Sequence, residues 1–166
     1  MRLWIVRHGI AIDREDPKCP SDPERFLTPE GLKKTREVAK GFRRLEDVPR
    51  LFLSSPYVRA LQTAELFADA CKVAKSKIEK TDHLLPGAEP AALFRELAHR
   101  RGAESVIVFG HAPNLDELIA YALGSKKDLT ELKKAGSACI ELTRFHPPAA
   151  SLVWLLTPKL LRALGK

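Results

Sequence analysis

The 166-residue chain predicts an α/β fold: a single three-layer domain, residues 1–166, with a mostly parallel central sheet flanked by helices. Two observations predict it. Short apolar runs, several of them β-branched, alternate along the chain with stretches in which apolar residues recur at i+3 and i+4. The length suits one domain that buries roughly two-thirds of its unfolded surface without a disulfide or metal staple.

The elements follow in order. Leu3 to Val6 reads as a buried strand. Residues 13–27 are rich in Asp, Pro, Ser and Lys and read as a loop. Thr28-Pro29-Glu30 opens a helix as N-cap, first-position proline and first-turn acid, and Leu32, Val38, Ala39, Phe42 and Leu45 keep helical spacing after it. Residues 50–54 form a second strand. A helix starting at Pro56 carries the clearest stripe of the chain, from Tyr57, Ala60 and Leu61 through Ala64, Phe67, Ala68 and Cys71. A short strand is expected within 77–85, a helix over Pro90–Arg101, and a third buried strand over Ser105–Phe109. Leu115, Leu118, Ile119, Ala122 and Leu123 make another helical stripe, stopped by Gly124. Ala138–Leu142 and Leu152–Leu156 read as a late hairpin around Pro147-Pro148, and Leu160–Leu164 as a short final helix.

Composition narrows the class. With 45% hydrophobic and 30% charged residues the chain is not of a disordered type. No apolar run approaches the roughly 20 residues a membrane-spanning helix needs. The first residues, one Arg, a short apolar run and then Arg7-His8, do not read as a signal peptide. Three widely spaced cysteines, Cys19, Cys71 and Cys139, suggest reduced thiols in a cytoplasmic location rather than disulfides or zinc. The net charge of +7 invites an anionic partner. Aromatics are only 7% and do not interleave with the Lys and Arg clusters, so nucleic acid is not expected.

In an open α/β sheet, ligands bind beyond the carboxyl ends of the strands. The first strand is followed by Arg7-His8-Gly9, the second by Ser54-Ser55-Pro56-Tyr57-Val58-Arg59, the third by Gly110-His111. If the three strands are neighbours, two guanidiniums and two imidazoles converge. Guanidinium forks suit phosphate oxygens, and an imidazole can act as nucleophile or donor. With no carboxylate at these turns, a divalent metal is disfavoured and no cofactor is expected. A phosphoryl dianion fits, and the reaction it suggests is transfer to a histidine nitrogen followed by hydrolysis. His83, His99 and His146 belong to no such turn and read as structural or surface residues.

These motifs, Arg7-His8-Gly9, the S-S-P-x-x-R-A-x-Q-T-A stretch at 54–64 and Gly110-His111, resemble those of the histidine phosphatase superfamily, the phosphoglycerate mutase-like proteins. The short length, Ala11 in R-H-G-x-A and Leu85-Pro86-Gly87-Ala88 are similar to the SixA-like phosphohistidine phosphatase group. The resemblance implies a phosphoglycerate mutase-like fold and a covalent phosphohistidine at His8. Arg7, Arg59 and His111, with Gly9 beside them, would hold the phosphoryl group.

Relatives acting on phosphate esters usually carry a Glu or Asp acid. In some it directly follows the late His, where this chain has Ala112. Glu89 and Asp82 are the remaining candidates and match no motif. An alkoxide leaving group needs a proton more than an imidazole does, so a missing acid favours phosphohistidine over esters. The leading expectation is therefore a monomeric phosphatase acting on a phosphorylated protein of the histidine phosphotransfer type, with a shallow, open site. The alternatives are a phosphomonoesterase or mutase for a small sugar or nucleotide phosphate using Glu89 or Asp82, and a non-catalytic module that binds phosphorylated or acidic partners.

Overall fold

Strand β1 (Arg2–Arg7) owes its place at the centre of the molecule to four consecutive apolar residues that alternate between two buried faces. The computed structural model describes residues 1–100 and 102–166. Among them are six strands and five α-helices. The order is β1, α1 (Pro29–Leu45), β2 (Leu51–Ser54), α2 (Val58–Cys71), β3 (Ile78–Lys80), α3 (Pro90–Ala98), β4 (Ser105–Gly110), α4 (Asn114–Ala122), β5 (Ser137–Phe145), β6 (Pro148–Leu156) and α5 (Pro158–Leu164).

The strands form one sheet in the order β3-β2-β4-β1-β5-β6. The first four are parallel, and β5 and β6 add an antiparallel edge. This is the predicted mostly parallel, three-layer α/β architecture. Leu3, Ile5, Leu53, Val106 and Val108 face α3 and α4 on one side. Trp4, Val6, Phe52, Ile107 and Phe109 face α1, α2 and α5 on the other. Crucially, β4 inserts between β1 and β2, so the three strands whose ends carry the motifs are neighbours.

Thr28 caps α1, its hydroxyl accepting from the Gly31 N–H at 3.0 Å. The buried face of this helix is rotated from the expected stripe. Gly31, Thr35 and Gly41 are buried with Val38, Ala39 and Phe42, whereas Leu45 is 41% exposed. Small residues win because backbone crosses there: a Cβ on Gly41 would stand 1.7 Å from the Leu161 carbonyl oxygen of α5.

Other boundaries shift for local reasons. Helix α2 starts at Val58 rather than Pro56, since the Ser55 hydroxyl accepts the Tyr57 N–H and holds a turn there. Helix α3 ends at Ala98, with the His99 N–H closing the last turn, and Arg101 lies outside the described residues. Strand β6 begins at Pro148, leaving His146-Pro147 as the turn of the hairpin. The expected loop 13–27 carries a single 3-10 turn, Asp22–Glu24. No helix among the described residues is long and apolar enough to cross a membrane.

Candidate active site

The carboxyl ends of β1, β4 and β2 deliver Arg7-His8, His111 and Ser55 to one edge of the sheet, and the first turn of α2 adds Arg59. His8 is 8% exposed and His111 and Arg59 are each 3% exposed. The two imidazole rings face one another with centroids 5.2 Å apart. The ring of Tyr57 stands edge-on to His111 at 5.3 Å, and the Arg59 guanidinium lies 5.0 Å from the Tyr57 ring centre.

His8 Nδ1 lies 2.7 Å from the Gly9 carbonyl oxygen. A carbonyl only accepts, so Nδ1 carries the proton and Nε2 keeps its lone pair. Burial pushes the His8 imidazole down to about 3, and the charges of Arg59, Arg7 and Lys134 add to it, against the Gly9 hydrogen bond. His111 is also pushed down to about 3, first by burial and then by His8 and Arg59. His111 Nε2 lies 2.9 Å from the Ser55 hydroxyl, and Nδ1 has no hydrogen-bond partner among the described residues.

Two depressed imidazoles make the fold acid-sensitive. Unfolded histidines titrate near 6.5, so between that value and 3 the unfolded chain binds more protons. Their contribution to stability is therefore level well above pH 6.5 and falls as pH drops through it, by about 2 kcal/mol per histidine at pH 5. Urea unfolding at pH 7 and pH 5 checks this. The loss should shrink by most of that amount in a His8→Ala/His111→Ala double variant, and an equal loss in both proteins would mean that the imidazoles ionise freely when folded.

The stretch at 54–64 works as a clamp. Thr63 Oγ1 accepts the Gly9 N–H at 3.0 Å and donates to the Arg59 carbonyl at 2.8 Å, tying His8 to α2. Gln62 accepts the Leu27 N–H at 2.7 Å and fixes the end of the preceding loop. Gly9 is required by close approach, since a Cβ there would stand 2.3 Å from Thr35 Oγ1.

Arg59 is oriented by a residue that sequence reasoning passed over. Its guanidinium donates to the Asp22 carbonyl at 2.6 Å and to the Asp22 carboxylate at 3.3 Å. Burial alone would raise the Asp22 carboxyl, but the hydrogen bond from Arg25 and the charges of Arg59 and Arg14 outweigh it and hold the group below the usual carboxylate range. The Asp22 turn therefore packs on Arg59, which is 3% exposed. Arg7 has a longer chain of support. Its guanidinium donates to the Leu132 carbonyl at 2.7 Å, and Asp116, 4% exposed on α4, accepts from the Leu132 N–H at 2.9 Å and the Thr130 hydroxyl at 2.6 Å. In sequence Asp22 is one acid among several in a polar loop, and Asp116 reads only as a first-turn helix acid, so neither carries a local signal.

Asp82, in a 3-10 turn after β3, and Glu89, before α3, are both exposed, and neither hydrogen-bonds to the four site residues; Asn114 at the start of α4 donates to the neighbouring Ala88 carbonyl at 3.1 Å. His83, His99 and His146 are exposed and make no hydrogen bond to the four site residues. Among the described residues no group of His, Cys, Asp and Glu has a metal-holding arrangement. The arrangement offers one neutral imidazole nitrogen flanked by two guanidiniums and a second imidazole, which suits attack on a phosphoryl group.

Known proteins resemble this chain in sequence and in fold. Residues 3–84 match the family model of the histidine phosphatase superfamily (branch 1). The chain is 34% identical over 139 residues to an uncharacterised protein of Picosynechococcus sp., covering 82% of each. It is 30% identical over 123 residues to the phosphohistidine phosphatase SixA of Escherichia coli, covering 72% of this chain and 73% of that one. The solved structure of the protein histidine phosphatase SixA complexed with tungstate superposes with a TM-score of 0.85 at 25% identity, over 97% of this chain and 99% of that one.

Proposed function

Because the chain belongs to the histidine phosphatase superfamily, and is a phosphatase, we propose that its substrate is phosphohistidine carried on a protein. The observation that carries this reading is the state of the acids. Asp82 and Glu89 are exposed and make no hydrogen bond to the four nitrogen-bearing side chains, and Asp22 is held ionised by three arginines. An ester demands a proton from the enzyme for its alkoxide; a phosphohistidine can bring its own, because a proton already on its other ring nitrogen lets it leave as neutral imidazole.

In the proposed reaction His8 Nε2 attacks phosphorus as the bond to the substrate imidazole breaks; the bonding pair goes to that ring, which leaves as neutral imidazole because its other nitrogen carries a proton. The Gly9 carbonyl, fixed on Nδ1–H, stabilises the positive charge that His8 acquires. Arg7, Arg59 and His111 hold the equatorial oxygens. Water then cleaves the P–N bond at His8 and releases inorganic phosphate. Similarity to SixA supports this substrate class, and tungstate, bound by one SixA structure, is a tetrahedral oxyanion like phosphate.

The experiment is parallel incubation with a phosphotransfer domain labelled on histidine and with a panel of small phosphate esters. Loss of label from the domain with slow ester turnover is expected. Fast sugar-phosphate turnover that collapses in Glu89→Gln would overturn the reading.

A further inference from the structure

Beside the site lies a second concavity that the proposed reaction does not use. It has a volume of about 460 Å³, within the range of small-molecule pockets. Its charged lining is Arg7, Lys34, Lys133, Lys134, Lys159 and Arg162, and no acidic residue lines it among those described. The walls come from the end of β1, the first half of α1, the segment before β5 and the start of α5.

The cavity is joined to the reacting centre. The Ala135 N–H donates to the carbonyls of Arg7 at 3.1 Å and His8 at 3.0 Å, and the Arg7 N–H donates to Gly136 at 3.1 Å. Lys134 is close enough for its charge to be felt at His8.

The cations are not consumed by the protein. Lys34 pairs with Glu30, Lys133 with Glu131 and Arg162 with Glu37, but Arg7, Lys134 and Lys159 form no ion pair among the described residues. Two polar groups of the wall are also unsatisfied. Arg7 Nε is buried without a partner, and so is the hydroxyl of Thr35, a residue with no exposed surface. The three unpaired positive charges around one hollow repel each other unless an anion enters.

We propose that this cavity is a second anion-binding subsite, contiguous with the phosphoryl site through Arg7, that takes a carboxylate or phosphate group. The inference rests on the reading of Arg7, His8, Arg59 and His111 as the phosphoryl site. Its occupant is either carried by the substrate beside the phosphohistidine or is a free polyanion, and both share the same oxyanion chemistry. Because Arg7 serves both places, an anion in the cavity alters phosphoryl binding, and by linkage the reverse holds.

Lys159 is exposed, unpaired and outside the reacting set, so Lys159→Glu tests the cavity without touching the fold. Calorimetric titration of the full chain with tripolyphosphate should show binding that weakens about tenfold in the variant. Equal affinity in both proteins would overturn the subsite. Kinetics then assign the source. A rise of about tenfold in KM for a histidine-phosphorylated phosphotransfer domain, with phosphoramidate turnover unchanged, places the anion on the protein substrate. Unchanged domain kinetics alongside weakened tripolyphosphate binding assigns the cavity to a free polyanion. Should the wild type turn over neither phosphoramidate nor the domain, the parent reading fails, while the titration still decides the cavity.

Discussion

His8→Ala is expected to leave a folded protein that forms no phosphoenzyme and turns over phosphohistidine roughly 10⁴-fold more slowly or worse. The Gly9 carbonyl at 2.7 Å fixes the tautomer of this imidazole from behind and leaves Nε2 with its lone pair. Its two neighbours on the sheet edge cannot substitute. Arg7 is cationic and has no lone pair to offer, and His111 already spends Nε2 on Ser55. Stability should not suffer in parallel, since the variant removes a buried imidazole rather than an apolar core side chain. The check is acid-quenched labelling with a radioactive phosphohistidine substrate, alongside kcat and a urea midpoint at pH 7. Full turnover by His8→Ala would remove the covalent mechanism.

The second large effect concerns Arg59. Arg59→Ala should lower kcat/KM by about 10³ to 10⁵-fold, the scale on which an arginine that stabilises a transferring phosphoryl group acts. The loss has two parts. A pair of guanidinium donors disappears, and the Asp22 carboxylate, which that guanidinium now neutralises, is left facing the incoming dianion. Arg59→Lys keeps the charge but not the fork, and should recover only part of the rate. Adding Asp22→Ala to Arg59→Ala should restore a measurable share by removing the exposed negative charge, an interaction that a double-mutant cycle reads directly. Steady-state kinetics with orthovanadate inhibition as a measure of transition-state binding would test both parts. Equal rates for the single and double variants would mean that Asp22 exerts no repulsion there.

How much of this was legible beforehand depends on the kind of constraint. Strands such as Val106–Phe109 are buried on both faces and announce themselves as continuous apolar runs. The four residues that meet at the sheet edge could be named because each follows such a strand or opens the next helix, where topology alone decides position. The supporting contacts could not be named. Asp22 meets Arg59 across 37 positions and Asp116 reaches Arg7 through Leu132, and no local pattern encodes either encounter. The rotated face of α1 was hidden for a related reason. Gly41 is buried by the approach of the Leu161 backbone, a contact that hydrophobic periodicity does not register.

The insertion of β4 between β1 and β2 also governs when the enzyme can exist during synthesis. Strand β1 pairs with β4 and β5, so the strand that leads into His8 emerges before its partners and waits for Arg2 to find Ser105 and Glu141. Closing such distant contacts is slow compared with forming helices. A nascent chain stalled near residue 84 already holds Arg7, His8 and Arg59, yet it has no strand to set them side by side. The ribosome must deliver the chain as far as β4 before His8, Arg59 and His111 can be set side by side, so a chain stopped short of it carries three of the four proposed phosphoryl-site residues and no site.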